Sequence, residues 1–530
     1  MMLQNNITAL LRRHRTALAL AAIVALALAV RVWDLGGTAL VADEFIDMNA
    51  SYGYAQTGTW HAWDWNVSAP DTVDFYAARD ERSWLYRWQI AQVLPHVAPT
   101  ESAARIVSVL WGGATVLVVY WAAWIMTRRR DVALLAALLF ALSATGIAYD
   151  RKVRMYAMFY PFYLALATLL YQMLTARPSA RWGKFIHTVS TTTGVHLPYI
   201  IPMLVVGAIS AHLQLLTANI AFALVGYALA VVVCHRLCAT RPDDRAARWV
   251  LGGAVAATAL AAIAAPHILR GIAGTSTFFI DNYGYITKIL ADFQHPLLGT
   301  AVVCFGFFTL FVSWKRPHAA LWLAAMALVP LALSIWVWKR TQGTQYVFYL
   351  QPFVILLCAT GVAGIADWMR SVVSPATARR AVIAVFAGAI LLLPAYGYVM
   401  ADDTTYARDI DRTADYRKVF AYLGTKRGPS DALITRNFRN YYYARWHAPV
   451  LDFGGERATH DLTTNEVRTF VCAHDAGSVV IFDNDWDFVA KDARALIETS
   501  LRRIDHSSVR GAARAYRWDS ALTAPLCSTH

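Results

Sequence analysis

Residues 17–47 read ALALAAIVALALAVRVWDLGGTALVADEFID, an apolar run followed shortly by two adjacent carboxylates. The apolar part, 17–33, is long enough to cross the hydrocarbon core of a bilayer, which takes roughly 17–25 residues. Asp43 and Glu44 then lie in a polar loop, 34–105, that is far longer than a tight connector between two spans. Carboxylates just outside a membrane boundary in such a loop indicate a reaction centre at the membrane surface.

The composition excludes a soluble globular protein. Hydrophobic residues make up 57% of the 530 residues and charged residues only 16%, whereas globular domains carry about 25% charged residues. Eleven segments are predicted to span a membrane. Two of them lie in the apolar region 184–235, where Pro198 and Pro202 favour two crossings with a short re-entrant piece between them. The others are 17–33, 106–126, 131–149, 156–175, 249–266, 297–314, 319–338, 346–368 and 381–399.

The first apolar segment is interpreted as a retained span. The basic leader 12–15 suits a signal peptide or a first anchor equally well. No small-x-small cleavage site precedes Arg31, so 17–33 is kept as span one.

Lys and Arg concentrate in alternate short loops, as they do on the cytoplasmic side of membrane proteins. With these loops in the cytoplasm, the N-terminus is cytoplasmic, and the loop 34–105 and the tail 400–530 are extracytoplasmic, or periplasmic. The chain is thus predicted to be a multi-pass protein of the cell (inner) membrane, with a transmembrane domain, 1–399, and a soluble tail. The net charge of +13 mostly reflects these basic loops, and no nucleic-acid motif is present. The loops are 12–15, 128–130, 177–184, 236–248, 315–316 and 370–380.

Two basic clusters depart from this tendency, because they fall in turns predicted to face outward. They are Arg151, Lys152 and Arg154 in one turn, and Lys339 and Arg340 in another. Ionisable groups at membrane depth cost roughly 2.5–3.5 kcal/mol on insertion scales. A bound anion would offset that cost, and snorkelling to lipid headgroups is the alternative. Two such clusters on the side of Asp43 favour a ligand that bears phosphate.

The loop 34–105 mixes aromatic side chains with carboxylates. Interfacial anchoring and stacking on sugar rings are equally compatible with this mixture. Asn66-Val67-Ser68 also matches the short acceptor pattern for N-glycosylation. The mixed residues are Trp60, Trp63, Trp65, Asp71, Asp74, Tyr76, Asp80 and Glu81.

The tail 400–530 is predicted to be a small α/β domain, because helix-period and strand-like segments alternate along it. Cys472 and Cys527 can pair if the tail is extracytoplasmic, although the sequence leaves the pairing open. The six cysteines form no metal-ligand pattern. The predicted helices are Asp415–Leu423 and Lys491–Leu501, and the predicted strands are Ala432–Thr435 and Ser478–Phe482.

Asp483, Asp485 and Asp487 resemble the start of a calcium loop. However, Phe488 stands where such a loop requires glycine, so a strand-to-helix loop is favoured.

Several short motifs, in order over roughly 30–370, resemble the GT-C membrane glycosyltransferases. The resemblance is to the branch of protein O-mannosyltransferases and lipid A aminoarabinose transferases. The opening pattern of that branch is an arginine, an Asp-Glu pair and a later glycine. This chain resembles it at Arg31, Asp43-Glu44 and Thr57-Gly58. Later elements of the branch resemble Glu101-Ser102-Ala103-Ala104-Arg105-Ile106 leading into Trp111-Gly112-Gly113, Arg154-Met155-Tyr156-Ala157, His196-Leu197-Pro198-Tyr199, and Gln345-Tyr346 through Pro352.

The chain departs from the family at two places. Ser83-Trp84-Leu85-Tyr86 stands where the family often has Pro-Pro-Leu, and Gln345 stands where an arginine often precedes the late tyrosine. Lys339 or Arg340 would then supply the phosphate contact near Tyr346.

The resemblance implies a GT-C fold and transfer of a sugar from a polyprenyl-phosphate-linked donor to an extracytoplasmic acceptor, by inverting displacement. Asp43 is the predicted general base that takes the proton of the acceptor hydroxyl, with Glu44 orienting the acceptor or assisting. Fixed cations would stabilise the charge that develops on the departing lipid phosphate. The predicted phosphate ligands are Arg154, Arg151, Lys339 and Arg340, with Arg31 a lesser candidate.

Four further residues are predicted to bind substrate. For Tyr156 and Tyr346 an interfacial anchor is the alternative, and for the histidine a bonded position inside the helix bundle. The residues are Tyr156, Tyr346, Tyr86 and His196.

This scheme requires no metal or other cofactor, although Asp43, Glu44 and Asp47 suit a divalent cation. The predicted partners are the lipid-linked donor, membrane lipid, and a glycolipid, polysaccharide or protein acceptor.

A transporter or flippase is disfavoured because the span interiors carry very few charges. A scaffold offers no reason for two basic clusters on the face that bears Asp43. A polymerase or ligase for lipid-linked oligosaccharides is closer to the first hypothesis.

Overall fold

The structure is a computed structural model, and it is mostly helical. The predicted sites Lys339 and Arg340, and the loop residues from Asp71 to Glu81, lie outside the described residues. The described ranges are 2–40, 42–70, 83–177, 183–239, 241–276, 282–338, 343–396, 415–436, 441–454, 461–505 and 513–528.

Within these ranges, eight helices are long and apolar enough to cross a membrane, or up to ten if each of two bent pairs is one span. This confirms a polytopic α-helical membrane protein, and the count of eleven spans for the whole chain stays a prediction. The predicted span 381–399 coincides with helix Pro375–Leu392 and runs past the described residues. The eight helices are His14–Val32, Glu101–Thr127, Tyr156–Thr175, Leu215–Leu237, Arg245–Ala264, Pro296–Ser313, Pro317–Trp336 and Phe348–Val372.

One of the two bent pairs lies where the sequence predicts an interruption, and the other lies within a span that was predicted to be continuous. Arg130–Ala141 and Ala144–Asp150 meet at 60°, within the predicted span 131–149. Lys184–Thr193 and Leu197–Leu213 meet at 100°, within the region predicted to hold a re-entrant piece. Gly194 adopts a φ of +73° at that break, a conformation that glycine reaches without a Cβ penalty.

The chain divides into two compact units. The helical unit comprises Met1–Trp33, Ser108–Arg151 and Met155–Met400, and the loop–tail unit comprises Asp34–Val107, Lys152–Arg154 and Ala401–His530. The predicted boundary at 399/400 stays a prediction.

Close helix packing organises the core of the helical unit. A Cβ added to Gly306 would lie 1.9 Å from the carbonyl oxygen of Leu357, and one added to Gly361 would lie 2.1 Å from that of Val302. Helices Pro296–Phe308 and Gln351–Val372 therefore meet backbone to backbone, as small residues allow in membrane proteins. Other described helices of this unit outside the eight spans are Pro266–Thr275, Gly284–Leu290 and Pro375–Leu392.

The first part of the loop–tail unit contains helices Ala42–Thr57 and Trp84–Val93 and a short antiparallel ribbon of β1 (Trp63–Asp64) and β2 (Ala69–Pro70). Trp65 is buried, and its Nε1 donates to Asn49 Oδ1 at 2.8 Å. The predicted glycosylation acceptor, Asn66, is buried as well. Its Oδ1 accepts from the backbone N–H of Trp446 at 2.7 Å. The structure thus assigns Asn66 a packing role.

The tail forms a small α/β domain around a five-stranded sheet with the order β4-β3-β5-β7-β6. Strand β3 is parallel to β4 and β5, whereas β7 is antiparallel to β5 and β6. The predicted tail helices and strands are confirmed to within a few residues. The strands are β3 (Ala432–Arg436), β4 (Val450–Phe453), β5 (Ala476–Phe482), β6 (Arg502–Arg503) and β7 (Ala513–Asp519), and the helices are Tyr416–Gly424, Tyr441–Ala444, Thr464–Cys472, Lys491–Ser500 and Ser520–Cys527.

Two further features of the tail follow from its sequence. Cys472 and Cys527 form a disulfide that joins the ends of two helices. After β5 the chain continues as a 3₁₀ turn over Asp483–Phe488, in agreement with the strand-to-helix loop favoured above.

Candidate functional site

The carboxylates singled out in the sequence lie in the first turns of helix Ala42–Thr57 in the loop–tail unit. Negative side chains are favourable there, because the N-terminus of a helix carries a partial positive charge. The helical period places Asp43 and Asp47 on the same face, one turn apart. Glu44 follows Asp43 and projects in a different direction, so the adjacent acids have different surroundings.

Asp43 is the exposed member of this group. Its side chain is 59% exposed, and its Oδ2 lies 3.7 Å from Nη2 of Arg154. Nη1 of the same guanidinium lies 3.3 Å from the backbone carbonyl oxygen of Asp43. The carboxylate can therefore meet a solute while a cation stands beside it.

Asp47 is fully buried and is bonded through both carboxylate oxygens. Oδ1 accepts from Nε of Arg87 at 2.6 Å, and Oδ2 accepts from Nη1 of Arg154 at 3.0 Å. The side chain of Asp47 has an exposure of 0%. Two guanidinium groups compensate this buried charge, and Asp47 in turn orients Arg154.

Glu44 is also buried, and Arg105 binds it in a bidentate arrangement. Nε and Nη2 of Arg105 donate to the two carboxylate oxygens at 3.0 and 2.9 Å, and the backbone N–H of Val153 donates to Oε1 at 2.8 Å. Burial favours the neutral acid, but Arg105, Lys152 and the Val153 bond outweigh it, so the pKa of Glu44 is lowered. Glu44 remains an anion that joins helix Ala42–Thr57 to the turn 152–154.

Tyr86 also contacts this turn. It is buried in helix Trp84–Val93, and its hydroxyl donates to the carbonyl oxygen of Lys152 at 3.4 Å. The loop–tail unit thus brings together four of the predicted site residues, Asp43, Glu44, Arg154 and Tyr86. The roles assigned to them from the sequence stay predictions.

Arg31 lies in the helical unit and is fully buried. Its Nε donates to Asp150 Oδ2 at 2.7 Å, and its Nη1 donates to the carbonyl oxygens of Ala141 at 2.9 Å and Ala27 at 3.2 Å. The guanidinium is enclosed by protein and neutralised by a buried carboxylate. Arg31 thus forms a buried ion pair, and the lesser phosphate-binding role predicted from the sequence stays a prediction.

The remaining predicted residues that the structure describes also belong to the helical unit. Tyr156 is buried, with its ring edge-on to Tyr149 and Phe348 at centroid distances of 5.4 and 5.2 Å. His196 is buried at the bend of the second bent pair, and its backbone N–H donates to the carbonyl oxygen of Met173 at 2.8 Å.

Arg151 and Tyr346 occupy chain turns. Arg151 follows helix Ala144–Asp150 as its C-terminal cap, and Tyr346 ends a short 3₁₀ turn, Thr344–Tyr346. Both are half-buried.

Three residues of the cluster around Asp43 were not among the site residues predicted from the sequence. They are Asp47, Arg87 and Arg105. Asp47 was considered only as a partner for a cation, although its spacing from Asp43 places both on one helical face. Arg105 stands in a quoted motif, and Arg87 follows Tyr86 directly. Their partners lie 61 and 40 positions away along the chain, so no local pattern connects them.

The carboxylates of this cluster are matched by guanidinium groups. Asp43, Glu44 and Asp47 face Arg154, Arg105 and Arg87. Across the ranges that the structure describes, no group of three or more His, Cys, Asp or Glu side chains is arranged to hold a metal ion. The divalent cation considered for Asp43, Glu44 and Asp47 stays a hypothesis.

Comparisons with solved structures identify the fold. ArnT from Cupriavidus metallidurans, bound to undecaprenyl phosphate, aligns with a TM-score of 0.57 at 13% sequence identity, covering 95% of this chain and 98% of that one. The apo oligosaccharyltransferase from Archaeoglobus fulgidus aligns at 0.55 and 10% identity, covering 89% and 70%. AglB from the same organism, in complex with an inhibitory peptide and a dolichol-phosphate, aligns at 0.51 and 10% identity, covering 96% and 74%.

No family sequence model matches this chain, and no curated protein sequence matches it. The structural likeness nevertheless confirms the predicted fold, because ArnT and AglB both have the GT-C fold. The chain is a GT-C-type polytopic membrane protein with a small C-terminal sheet domain.

Proposed function

We propose that this chain is a membrane glycosyltransferase that moves a sugar from a polyprenyl-phosphate-linked donor to an extracytoplasmic acceptor. Asp43 acts as the general base, and Arg154 interacts with the phosphate of the donor. The acceptor is a glycolipid, a polysaccharide or a protein.

The exposure of Asp43 within a cluster of otherwise buried acids carries this proposal. Glu44 and Asp47 are 1% and 0% exposed and are bonded by arginines, whereas Asp43 is 59% exposed. A general base must come within hydrogen-bond reach of the proton that it takes. Asp43 is the member of this cluster that an acceptor hydroxyl can approach.

Arg154 supplies a suitable cation beside that base. Its side chain is 15% exposed and is oriented by Asp47 at 3.0 Å. A guanidinium presents a planar set of donors that matches phosphate oxygens. Held by Asp47, it needs little reorganisation when negative charge develops on the leaving phosphate.

The structural neighbours support a donor of this chemical class. ArnT was solved with undecaprenyl phosphate, and AglB with a dolichol-phosphate. Both ligands are polyprenyl phosphates, the species that the proposed reaction releases.

The proposed reaction is a single inverting displacement. The acceptor oxygen forms a bond to the anomeric carbon while the bond between that carbon and the phosphate oxygen breaks. The proton of the acceptor hydroxyl passes to Asp43, and the bonding electron pair leaves with the polyprenyl phosphate. For this geometry the base must lie opposite the leaving group, as in inverting sugar hydrolysis.

We place the reaction at the outer face of the cell (inner) membrane. The charge pattern of the loops puts 34–105 and 400–530 on that side. The disulfide between Cys472 and Cys527 supports this orientation, because such bonds persist in oxidising compartments.

The test compares purified wild type with Asp43→Asn in detergent. A panel of short-chain polyprenyl-phosphate sugars serves as donor probes, and released polyprenyl phosphate is measured with a cell-envelope extract as acceptor. We expect release by the wild type with at least one probe and none by Asp43→Asn. Asp461→Asn, which replaces an exposed carboxylate of the tail, is the matched control and should retain wild-type activity.

Melting temperatures of all three proteins must agree within a few degrees, so that lost activity is not lost folding. Unchanged release by Asp43→Asn would falsify its role as base. A second panel contains diphosphate-linked oligosaccharides, and release of polyprenyl diphosphate from this panel alone would replace the proposal with the ligase alternative. Release from no probe of either panel would overturn the proposal. The likeness to two oligosaccharyltransferase structures makes the diphosphate probe necessary.

A further inference from the structure

The backbone that leads into Asp43 has no regular secondary structure between Leu35 and Leu40. Backbone carbonyl groups in such a segment need donors from side chains or water. Two arginines supply them, Arg105 from helix Glu101–Thr127 and Arg417 from the tail helix Tyr416–Gly424.

Together these arginines donate to every carbonyl oxygen from Leu35 to Ala39. Arg105 reaches Leu35, Thr38 and Ala39 at 3.0, 2.9 and 3.1 Å. Arg417 reaches Gly36, Gly37 and Thr38 at 2.8, 3.4 and 3.0 Å. The tail therefore fixes the path of a segment that lies almost four hundred positions earlier in the chain.

Tyr443, a second residue of the tail, bonds the next residue of the segment, Leu40. The backbone N–H of Leu40 donates to Tyr443 Oη at 2.7 Å. The Tyr443 hydroxyl donates in turn to Glu101 Oε1 at 2.8 Å, and Arg417 Nη2 donates to the same oxygen at 2.5 Å. Glu101 thus couples the two tail residues that hold the segment.

The phenol of Tyr443 remains protonated in this arrangement. Burial and the negative charge of Glu101 raise its pKa well above the usual range of tyrosine. The protonated hydroxyl can then donate to Glu101 while it accepts from the backbone N–H of Leu40.

The tail also holds the chain on the other side of Asp43. Phe45 is fully buried, and rings of the tail surround it. Tyr416 and Tyr443 lie edge-on at centroid distances of 5.3 and 5.7 Å, and Tyr442 lies at 6.3 Å. The exposed carboxylate is therefore flanked by two positions that the tail fixes.

We infer that Arg417 and Tyr443 are positioning residues for Asp43, so that the C-terminal domain forms part of the catalytic centre. The part of this inference that concerns catalysis rests on the proposed function. Without the tail contacts, the segment 35–40 would lose side-chain partners and Asp43 would occupy a wider range of positions. A displacement of about 1 Å at a reacting group can lower a rate about 100-fold.

Tyr443→Phe tests this inference, because it retains the ring against Phe45 and removes the hydroxyl that Leu40 and Glu101 share. Tyr422→Phe is the matched control. It also removes one tail hydroxyl, which donates to the carbonyl oxygen of Ile504 at 2.5 Å. Arg417→Lys is the second test variant, since it retains charge but loses the planar set of donors.

Hydrogen–deuterium exchange of the purified full chain is the first readout. We expect faster exchange of the amides in 36–45 in Tyr443→Phe and Arg417→Lys, and wild-type exchange there in Tyr422→Phe. Release of polyprenyl phosphate is the second readout, with kcat lowered about tenfold or more and KM for the donor little changed.

The two readouts separate the outcomes. Unchanged exchange in 36–45 overturns the inference, as does faster exchange with an unaltered kcat. If Asp43→Asn proves fully active, the proposed function fails, whereas the exchange experiment still reports whether the tail fixes this segment. Faster exchange together with a lower kcat in both test variants, and neither in Tyr422→Phe, supports the inference.

Discussion

Arg154 donates to Asp47 through Nη1 at 3.0 Å and places its guanidinium 3.7 Å from the exposed carboxylate of Asp43. Asp47 is fully buried and also accepts from Arg87. The buried acid therefore fixes a cation beside the exposed one. A carboxylate and a cation therefore lie next to each other, and the proposed transfer assigns Asp43 the role of base and Arg154 an interaction with the donor phosphate.

Replacement of Arg154 should lower transfer without preventing folding. Arg154→Gln removes the cation beside Asp43 but leaves Asp47 bonded to Arg87. Charge-assisted hydrogen bonds contribute about 1.5–3 kcal/mol each, so we expect kcat/KM for the donor to fall by roughly 10- to 100-fold. Arg154→Lys should recover part of this loss, since it restores charge but not the planar geometry.

The measurement is initial-rate kinetics with the donor probe that the wild type accepts, together with binding of undecaprenyl phosphate to each variant. Wild-type kinetics in Arg154→Gln would exclude an interaction of this residue with the donor phosphate. The control Arg494→Gln removes an exposed tail arginine that pairs with Glu498 and should change neither quantity.

Replacement of Glu44 should mainly affect stability. Glu44→Gln leaves the charge of Arg105 buried without its counter-ion, and breaking such a pair typically costs about 3–5 kcal/mol. Asp43→Asn, in which the replaced side chain is exposed, should change the melting temperature little. Thermal unfolding of the detergent-solubilised proteins measures both. Equal melting temperatures for Glu44→Gln and the wild type would refute the importance of the buried pair.

The contribution of Glu44 should also depend on pH. Its pKa is lowered from 4.5, so the folded state binds its proton more weakly than the unfolded state does. The stabilisation is therefore complete above the unfolded-state pKa and is lost as the pH falls through the folded-state pKa. We expect a constant difference in melting temperature between wild type and Glu44→Gln from pH 8 to about pH 5, narrowing below pH 4.5.

Melting temperatures of both proteins across this range provide the check. Since other carboxylates titrate in both proteins alike, the difference isolates Glu44. A difference that widens on acidification would contradict the lowered pKa.

The disulfide should stabilise the tail and report its compartment. Cys472 and Cys527 lie 55 positions apart and join helices Thr464–Cys472 and Ser520–Cys527. Disulfides typically contribute about 2–4 kcal/mol, so we expect the double replacement by serine to lower the melting temperature and the yield. Replacement of Cys304, an exposed free cysteine of a predicted span, is the control.

Maleimide labelling of denatured membranes, with and without reductant, tests the bond in the cell. In the wild type, Cys472 and Cys527 should react with maleimide only after the disulfide has been reduced. Labelling of both without reductant would show that the bond does not form in the cell and would remove its support for an extracytoplasmic tail.

Local sequence patterns predicted much of the secondary structure. Apolar runs predicted the spans because a helix must satisfy its own backbone hydrogen bonds within the bilayer. In the tail, the position after Gly428-Pro429 predicted the strand Ala432–Thr435, which is observed as Ala432–Arg436. The helical period predicted the helix Lys491–Leu501, which is observed as Lys491–Ser500. An apolar run does not show where a helix bends, so the two bent pairs are apparent only in the structure.

The site could be predicted only in part. Asp43 was identified from its position after the first span, and Arg154 from its charge in a predicted outward turn. The structure locates both in one cluster, but it also assigns Arg31 to a buried pair with Asp150, its partner 119 positions away. A charge pattern reports which residues are ionised and says nothing of which ones neutralise each other.

The sequence by itself determined a membrane-embedded helical chain, a long loop that bears adjacent acids and an α/β tail, since these depend on hydropathy and periodicity over short windows. The tertiary structure alone decided that Asp43 is exposed while Glu44 is buried. It also decided that Arg417 and Tyr443 of the tail bond the segment that precedes Asp43. Burial and ion pairing depend on groups that folding brings together from distant positions, and a linear pattern does not contain those distances.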